Sequence, residues 1–200
     1  MFYHLIKNFM IVILYFFLAF SSFGRSQGSF ERDYLILKKI PADYRSFGSI
    51  CEQVARLRLK EKYNPKKFNF LVGLEYRNSN RVLGEVDLVV FSKKDGRVVI
   101  VGEVKCWKDL DAAVKKAEKQ LNRFFRSMGG NQKIFFYPKE RVSIKFQKKV
   151  FVNAKKMYFS QKVEGKNPFK NNIGLTLSEV KKLRKKLQEC QRVKECPTVR

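Results

Sequence analysis

The stretch from Gly84 to Trp107, GEVDLVVFSKKDGRVVIVGEVKCW, constrains this chain more than any other. Two β-type runs, Leu83–Phe91 and Arg97–Cys106, flank Ser92–Gly96. The Asp95-Gly96 pair there is a strong short-range signal for a hairpin turn. Alternate side chains of a strand share a face, so Glu85 goes with Asp87 and Glu103 with Lys105. These four charges lie in and beside valine, leucine and isoleucine runs that favour burial. Burying charge is expensive unless it is paired or binds a metal, and that conflict marks the hairpin as a candidate site.

The flanking sequence predicts a mixed α/β domain. Phe68–Tyr76 reads as a strand and Arg77–Asn80 as a polar turn, so three consecutive strands form an antiparallel meander. Upstream, Ile50, Val54 and Leu57 recur at helical spacing from Phe47 to about Tyr63, with Ser49 as N-cap and Asn64-Pro65 as stop. Glu52 falls in the first turn of that helix, where an acid also complements the helix dipole. Residues 25–46 read as an irregular lead-in. Downstream, Leu110, Val114, Ala117, Leu121 and Phe124 define a helix over Asp109–Met128 that Gly129-Gly130 ends. Its other face carries Lys115, Lys116, Lys119 and Arg123. Gln132–Tyr137 reads as a further strand, and a helix between two strands is the crossover that makes that pair parallel. Val142–Phe159 fits either a strand plus a helix or one long helix, and Lys162–Asn172 a polar loop. A last helix starts at a Thr176/Glu179 capping box and sets Leu177, Val180, Leu183 and Leu187 opposite Lys181, Lys182, Arg184, Lys185 and Lys186.

Charge narrows the partners. The 200 residues carry a formal net charge of +25, far beyond what solubility requires. A field of that sign recruits nucleic acid first, DNA ahead of RNA, and acidic membrane or cell-wall polymer second. The single histidine is His4, near the N-terminus. Ser-His-Asp triads, Cys-His pairs and His-zinc hydrolases are therefore excluded from the rest of the chain. Carboxylates and lysine remain, an inventory suited to Mg²⁺-assisted phosphodiester hydrolysis, with Mn²⁺ as a substitute. A glycosidase also uses two carboxylates, but so basic a chain suits an anionic polymer better. There is no glycine-rich phosphate loop and no sign of a small-molecule cofactor.

Residues 1–24 read as an export signal. Lys7 precedes the apolar run Phe9–Phe20, and Ser22-Phe23-Gly24 offers small residues before Arg25. The alternative is an uncleaved anchor formed by residues 5–23. Four cysteines in an exported chain suggest disulfides, with three possible connectivities. Cys190 and Cys196 are near neighbours and suit a local bridge. A Cys51–Cys106 bridge would pin the first helix to the second hairpin strand. Zinc is the rival use, but no pair has knuckle spacing.

Asp87, fifteen residues, then Glu103-Val104-Lys105 resembles the D-x(n)-(D/E)-x-K signature of the PD-(D/E)XK nuclease superfamily, and the Gly84–Leu88 form is similar to its Holliday-junction resolvase-like members. The resemblance covers residues 47–138 and implies a restriction endonuclease-like αβββαβ core, a mixed sheet flanked by helices. Residues 139–200 would then form a basic C-terminal extension packed on it. The resemblance implies that Asp87 and Glu103 ligate the metal and that Lys105 positions or activates the attacking water. It also implies that Glu52 is the helix acid near the metal and Gln120 the glutamine that orients the site or a phosphate. Val86 replaces the signature proline. The expectation is an exported Mg²⁺-dependent endonuclease degrading DNA with little sequence preference. Its basic faces, Lys115, Lys116, Lys119 and Arg123 on one helix and Lys181, Lys182 and Lys185 on another, would touch phosphates. The alternative is a non-catalytic protein that binds extracellular DNA or anionic envelope polymer. Oligomeric state is left open.

Overall fold

The computed structural model describes residues 27–140, 142 and 145–198. The export signal expected at 1–24 lies outside them. Among the described residues, no helix is long and apolar enough to cross a membrane.

The lead-in is not irregular. Gln27–Leu37 forms helix α1. Phe30, Tyr34 and Leu37 recur at helical spacing and pack on the main core cluster. The buried Asp33 shares their stripe and is ion-paired with Arg58 of the next helix, which is why a purely apolar period misses α1. Tyr44 is also buried, and its hydroxyl donates to the Leu37 carbonyl at 2.8 Å. Helix α2 spans Phe47–Lys62. Its N-cap is Ser46, not Ser49, which moves Glu52 from the first turn into the second and removes the helix-dipole reason for an acid there.

Strands β1 (Phe68–Arg77), β2 (Val82–Ser92) and β3 (Val98–Val104) form the expected antiparallel meander. The β2–β3 turn is closed by the Gly96 amide donating to the Ser92 carbonyl at 2.9 Å, with Gly96 at φ 69°. Helix α3 spans Leu110–Gly129, capped by Asp109, whose carboxylate accepts from the Ala112 amide. The next strand departs from expectation. β4 covers only Phe135–Pro138 and pairs antiparallel with the outer side of β1. Its aromatics place it: the Phe136 ring stacks on Phe151 at 5.1 Å beneath α3.

The parallel neighbour of β3 is β5, Lys155–Lys162, drawn from the stretch that read two ways. A 3₁₀ turn at Lys148–Phe151 precedes it, and Met157 and Phe159 alternate into the core. β6 (Asn171–Thr176) adds a further parallel strand, giving one six-stranded mixed sheet in the order β4-β1-β2-β3-β5-β6. The segment after residue 138 therefore supplies two strands of the same sheet. Helix α4 (Leu177–Arg192) carries the capping box as expected, and Val180, Leu183 and Leu187 are buried.

Helices α1, α2 and α4 bury their apolar stripes against one face of the sheet, around Val72, Leu88, Val90 and Ile100. α3 covers the other face with Leu121 and Phe124. Both cysteine pairs lie at disulfide distance, with Cα separations of 6.4 Å for Cys51–Cys106 and 5.3 Å for Cys190–Cys196. The first closes a far longer loop than the second, 55 against 6 residues of separation. Replacing Cys51 and Cys106 by alanine should therefore cost about 4 kcal/mol in urea unfolding, and the Cys190/Cys196 double variant about 2 kcal/mol. Equal losses would count against a loop-closure origin.

Candidate active site

The site begins where β2 and β3 part. Their register ends at Leu88↔Gly102. Beyond that point the Asp87 side chain takes over from the backbone, Oδ2 accepting from the Val104 amide at 2.8 Å. Asp87 sits at a bend. Val86 packs beneath α3 while Leu88 packs on the α2 side, although residues two apart in a regular strand share a face. Opposite the bend, between Val72↔Leu88 and Leu74↔Val86, lies Gly73 at φ 75°. A Cβ there would fall 2.7 Å from the Lys139 side chain, so both conformation and space call for glycine.

Glu103 and Lys105 share a face of β3 as their spacing predicts, and their side chains meet. Lys105 Nζ donates to Glu103 Oε2 at 2.7 Å and to Asp87 Oδ2 at 3.0 Å. All three are buried, Glu103 at 0% exposure and the other two at 8%. One ammonium thus serves two carboxylates, and Glu103 Oε1 is buried without a hydrogen-bond partner. Burial, then the Asp87 charge, pushes the Glu103 carboxyl well above the usual range, and Lys105 offsets only part of that. For Lys105, burial acts to lower the pKa, but the two carboxylates more than reverse it, so it is raised and the group stays charged.

Glu52 faces this trio from α2. It lines a cleft of about 410 Å³ together with Lys105, Gln120, Lys116 and Trp107. Burial raises its pKa to about 7, helped by the Asp87 and Glu85 charges and opposed by Lys139 and Lys105. Gln120 reaches the same cleft from α3, its Oε1 buried and unpartnered. The five residues predicted for catalysis therefore converge, from two strands and from helices on opposite faces of the sheet.

The predicted phosphate contacts divide. Lys116 lines the cleft, whereas Lys115 and Lys119 line a wider groove of about 890 Å³ along α3 with Phe125, Arg126 and Lys156. Arg123 turns toward Gly84 and the Tyr76 hydroxyl. Lys181, Lys182 and Lys185 are exposed on α4, across the sheet from α3. Sequence reasoning missed Lys139, which pairs with Glu85 at 2.7 Å, and Glu140, which accepts from the buried Arg56 at 2.7 Å. Glu85 is thereby occupied. The only signal was the polar break after Pro138, and nothing local says that it folds back on β1, where the Lys139 amide donates to the Gly73 carbonyl at 2.9 Å.

Among the described residues, no group of three His, Cys, Asp or Glu side chains closes on one point as a metal-ligand set. Two carboxylates with a cation between them, one oxygen unpartnered, nonetheless fit Mg²⁺, which uses one or two protein carboxylates and completes its shell with water and substrate oxygens. No protein-family model, curated protein or solved structure matches this chain.

The raised Glu52 pKa has a stability consequence. A carboxyl that prefers its proton in the folded state contributes stability below its ordinary 4.5, and that stability is lost as pH rises through about 7. Metal-free Glu52→Gln should thus exceed wild type by on the order of 2 kcal/mol at about pH 8, with the gap closing toward about pH 5. Urea titrations in chelator at the two pH values measure this. A gap independent of pH would show that Glu52 is not desolvated.

Proposed function

We propose that this chain is a Mg²⁺-dependent endonuclease that hydrolyses DNA phosphodiester bonds with little sequence preference, built on a PD-(D/E)XK-type core. The observation that carries the reading is the meeting of Asp87 and Glu103, from adjacent strands, on the Lys105 ammonium beside the Glu52 cleft. The topology supports it: α2, the β1–β3 meander, α3 and the parallel strand β5 follow the αβββαβ order, with β4 inserted at the far edge. The charge of +25 supports a polyanionic substrate. The cysteine pairs at disulfide distance are compatible with the oxidising compartment that an export signal implies.

Asp87 and Glu103 would hold the ion, Glu103 having one oxygen without a partner, with Glu52 as the acid next to them. Bound Mg²⁺ supplies charge neutralisation on the phosphate and a water of lowered pKa. Lys105, whose ammonium lies between the two carboxylates, would position or activate the attacking water. Gln120 offers a free amide to a phosphate oxygen, and Lys116 a counter-charge at the rim. The burial of Asp87, Glu103 and Lys105 keeps bulk water from these groups, which strengthens their interactions.

Two measurements test the reading. Plasmid hydrolysis by purified protein with Mg²⁺ should fall by about 1,000-fold or more in Asp87→Ala and Lys105→Ala, and wild-type activity should drop steeply with salt. Cleavage that persists in Asp87→Ala would end the assignment. Salt-sensitive binding without cleavage in any variant would instead favour the non-catalytic binder of DNA or envelope polymer. Separately, Lys105 competes with the ion for the same carboxylates, and removing it leaves Glu103 buried and unpaired, a loss of about 3–5 kcal/mol. Lys105→Met should therefore melt lower than wild type in chelator and gain more from added Mg²⁺. Identical Mg²⁺ shifts in both proteins would argue that the ion does not bind at these oxygens.

A further inference from the structure

We propose that Trp107 is a stacking platform for an unpaired nucleobase at the mouth of the cleft, so that the chain takes single-stranded or locally opened polynucleotide in preference to closed duplex. This rests on the reading of the cleft as a phosphodiester site and names its substrate class.

Trp107 is the only tryptophan in the sequence and is 37% exposed. It follows directly on Lys105-Cys106 at the end of β3 and lines the same cleft as Glu52, Lys105 and Gln120. Its backbone is held from both sides. The Trp107 carbonyl accepts from Gln161 Nε2 of β5 at 2.7 Å, and the preceding Cys106 lies at disulfide distance from Cys51 on α2. Gln161 is itself 2% exposed, so the anchor is rigid. A platform fixed in place at the rim loses little freedom when a planar partner lands on it.

The ring is also charged from above. Lys116 Nζ stands over the ring, 4.6 Å from the indole centroid, so a base that stacks on that face displaces the ammonium toward the backbone phosphate it would then pair with. That pairing of a cation for the backbone with an aromatic for the base is how single strands are held without sequence readout. Size agrees: about 410 Å³ encloses one ligand of small-molecule size, as a single nucleotide is, and is far too small for a double helix. A closed duplex keeps its base faces stacked internally and has none to offer Trp107 except at an end or an opened step.

Because Trp107 is the only tryptophan, emission excited at the red edge of the indole band, where the eight tyrosines absorb little, reports on this ring alone. The probes are oligo(dT), oligo(rU), a blunt hairpin duplex and inorganic polyphosphate, titrated in chelator so that nothing is cut. Oligo(dT) or oligo(rU) should change the emission while polyphosphate does not, and whichever of the two binds tighter identifies the sugar. Trp107→Leu should weaken oligo binding by roughly tenfold and Trp107→Phe by about threefold or less, with duplex affinity altered by less than about twofold in either. Single-strand binding without an emission change, an equal response to polyphosphate, equal losses on strand and duplex, or no single-strand binding at all would each overturn the proposal. Cleavage plays no part in these readouts. Failure of the nuclease reading would appear only as absent hydrolysis with Mg²⁺, failure of this one only in the titrations.

Discussion

One ammonium between two buried carboxylates is the interaction on which the structure around the hairpin depends. Asp87, Glu103 and Lys105 put three titratable groups where water hardly reaches, with two carboxyls sharing one ammonium. Such an arrangement survives only if each member is held. Asp87 is held by the Val104 amide, and Glu103 through one oxygen by Lys105, while the second Glu103 oxygen has nothing. Replacing a buried ion pair by apolar residues is often neutral or stabilising, so three such groups with an orphaned oxygen are a poor way to stabilise a sheet. They suit the cation site proposed above, inside a chain that is otherwise strongly cationic.

The fold serves that point from several directions. The bend at Asp87 exists because Gly73 opposite it adopts a left-handed conformation, and the same glycine's carbonyl fixes the Lys139 amide, which brings a lysine to Glu85. The Cys51–Cys106 pair ties α2 to the end of β3 one residue from both Glu52 and Lys105. Helices on opposite faces then deliver Glu52 and Gln120 into one cleft at the edge of the parted strands. Each device lies within a residue or two of a charged group, where misplacement by an ångström is most costly.

What the sequence made legible was local. The Asp-Gly turn, the alternation along residues 88–91 and 100–104, the apolar period of α2 and α3 and the capping box at Thr176 all appear where their short-range chemistry puts them, whereas the bend at Asp87 puts Val86 and Leu88 on opposite faces. Two kinds of feature escaped. The first was burial of polar residues: Asp33 interrupts the stripe of α1, and only its distant partner Arg58 explains why that is tolerated. The second was strand placement. Nothing within Phe135–Pro138 says that it joins β1 on the far edge, leaving the position beside β3 to β5, because that choice is made by Phe136 meeting Phe146 and Phe151 in a cluster assembled from the whole chain. The convergence of Asp87, Glu103 and Lys105 was legible because adjacent strands and a two-residue spacing leave few alternatives. The pairing of Glu85 with Lys139 was not, since it needs that long-range return.

The distribution of positive charge separates two roles that composition alone merges. α3 and α4 lie on opposite faces of the sheet, roughly 20 Å apart at one layer spacing per face. Exposed charges interact across only about 8 Å at physiological ionic strength. Lys181, Lys182 and Lys185 on α4 therefore contribute to the field of the whole molecule and little to the potential along α3. On the function proposed above, seating would fall to the two sides of α3, Lys116 lining the cleft and Lys115 and Lys119, with Lys156 of β5, lining the groove. On the function proposed above, a polymer would thus be seated by one side of the molecule, whereas the net charge of +25 would govern only how often the encounter takes place.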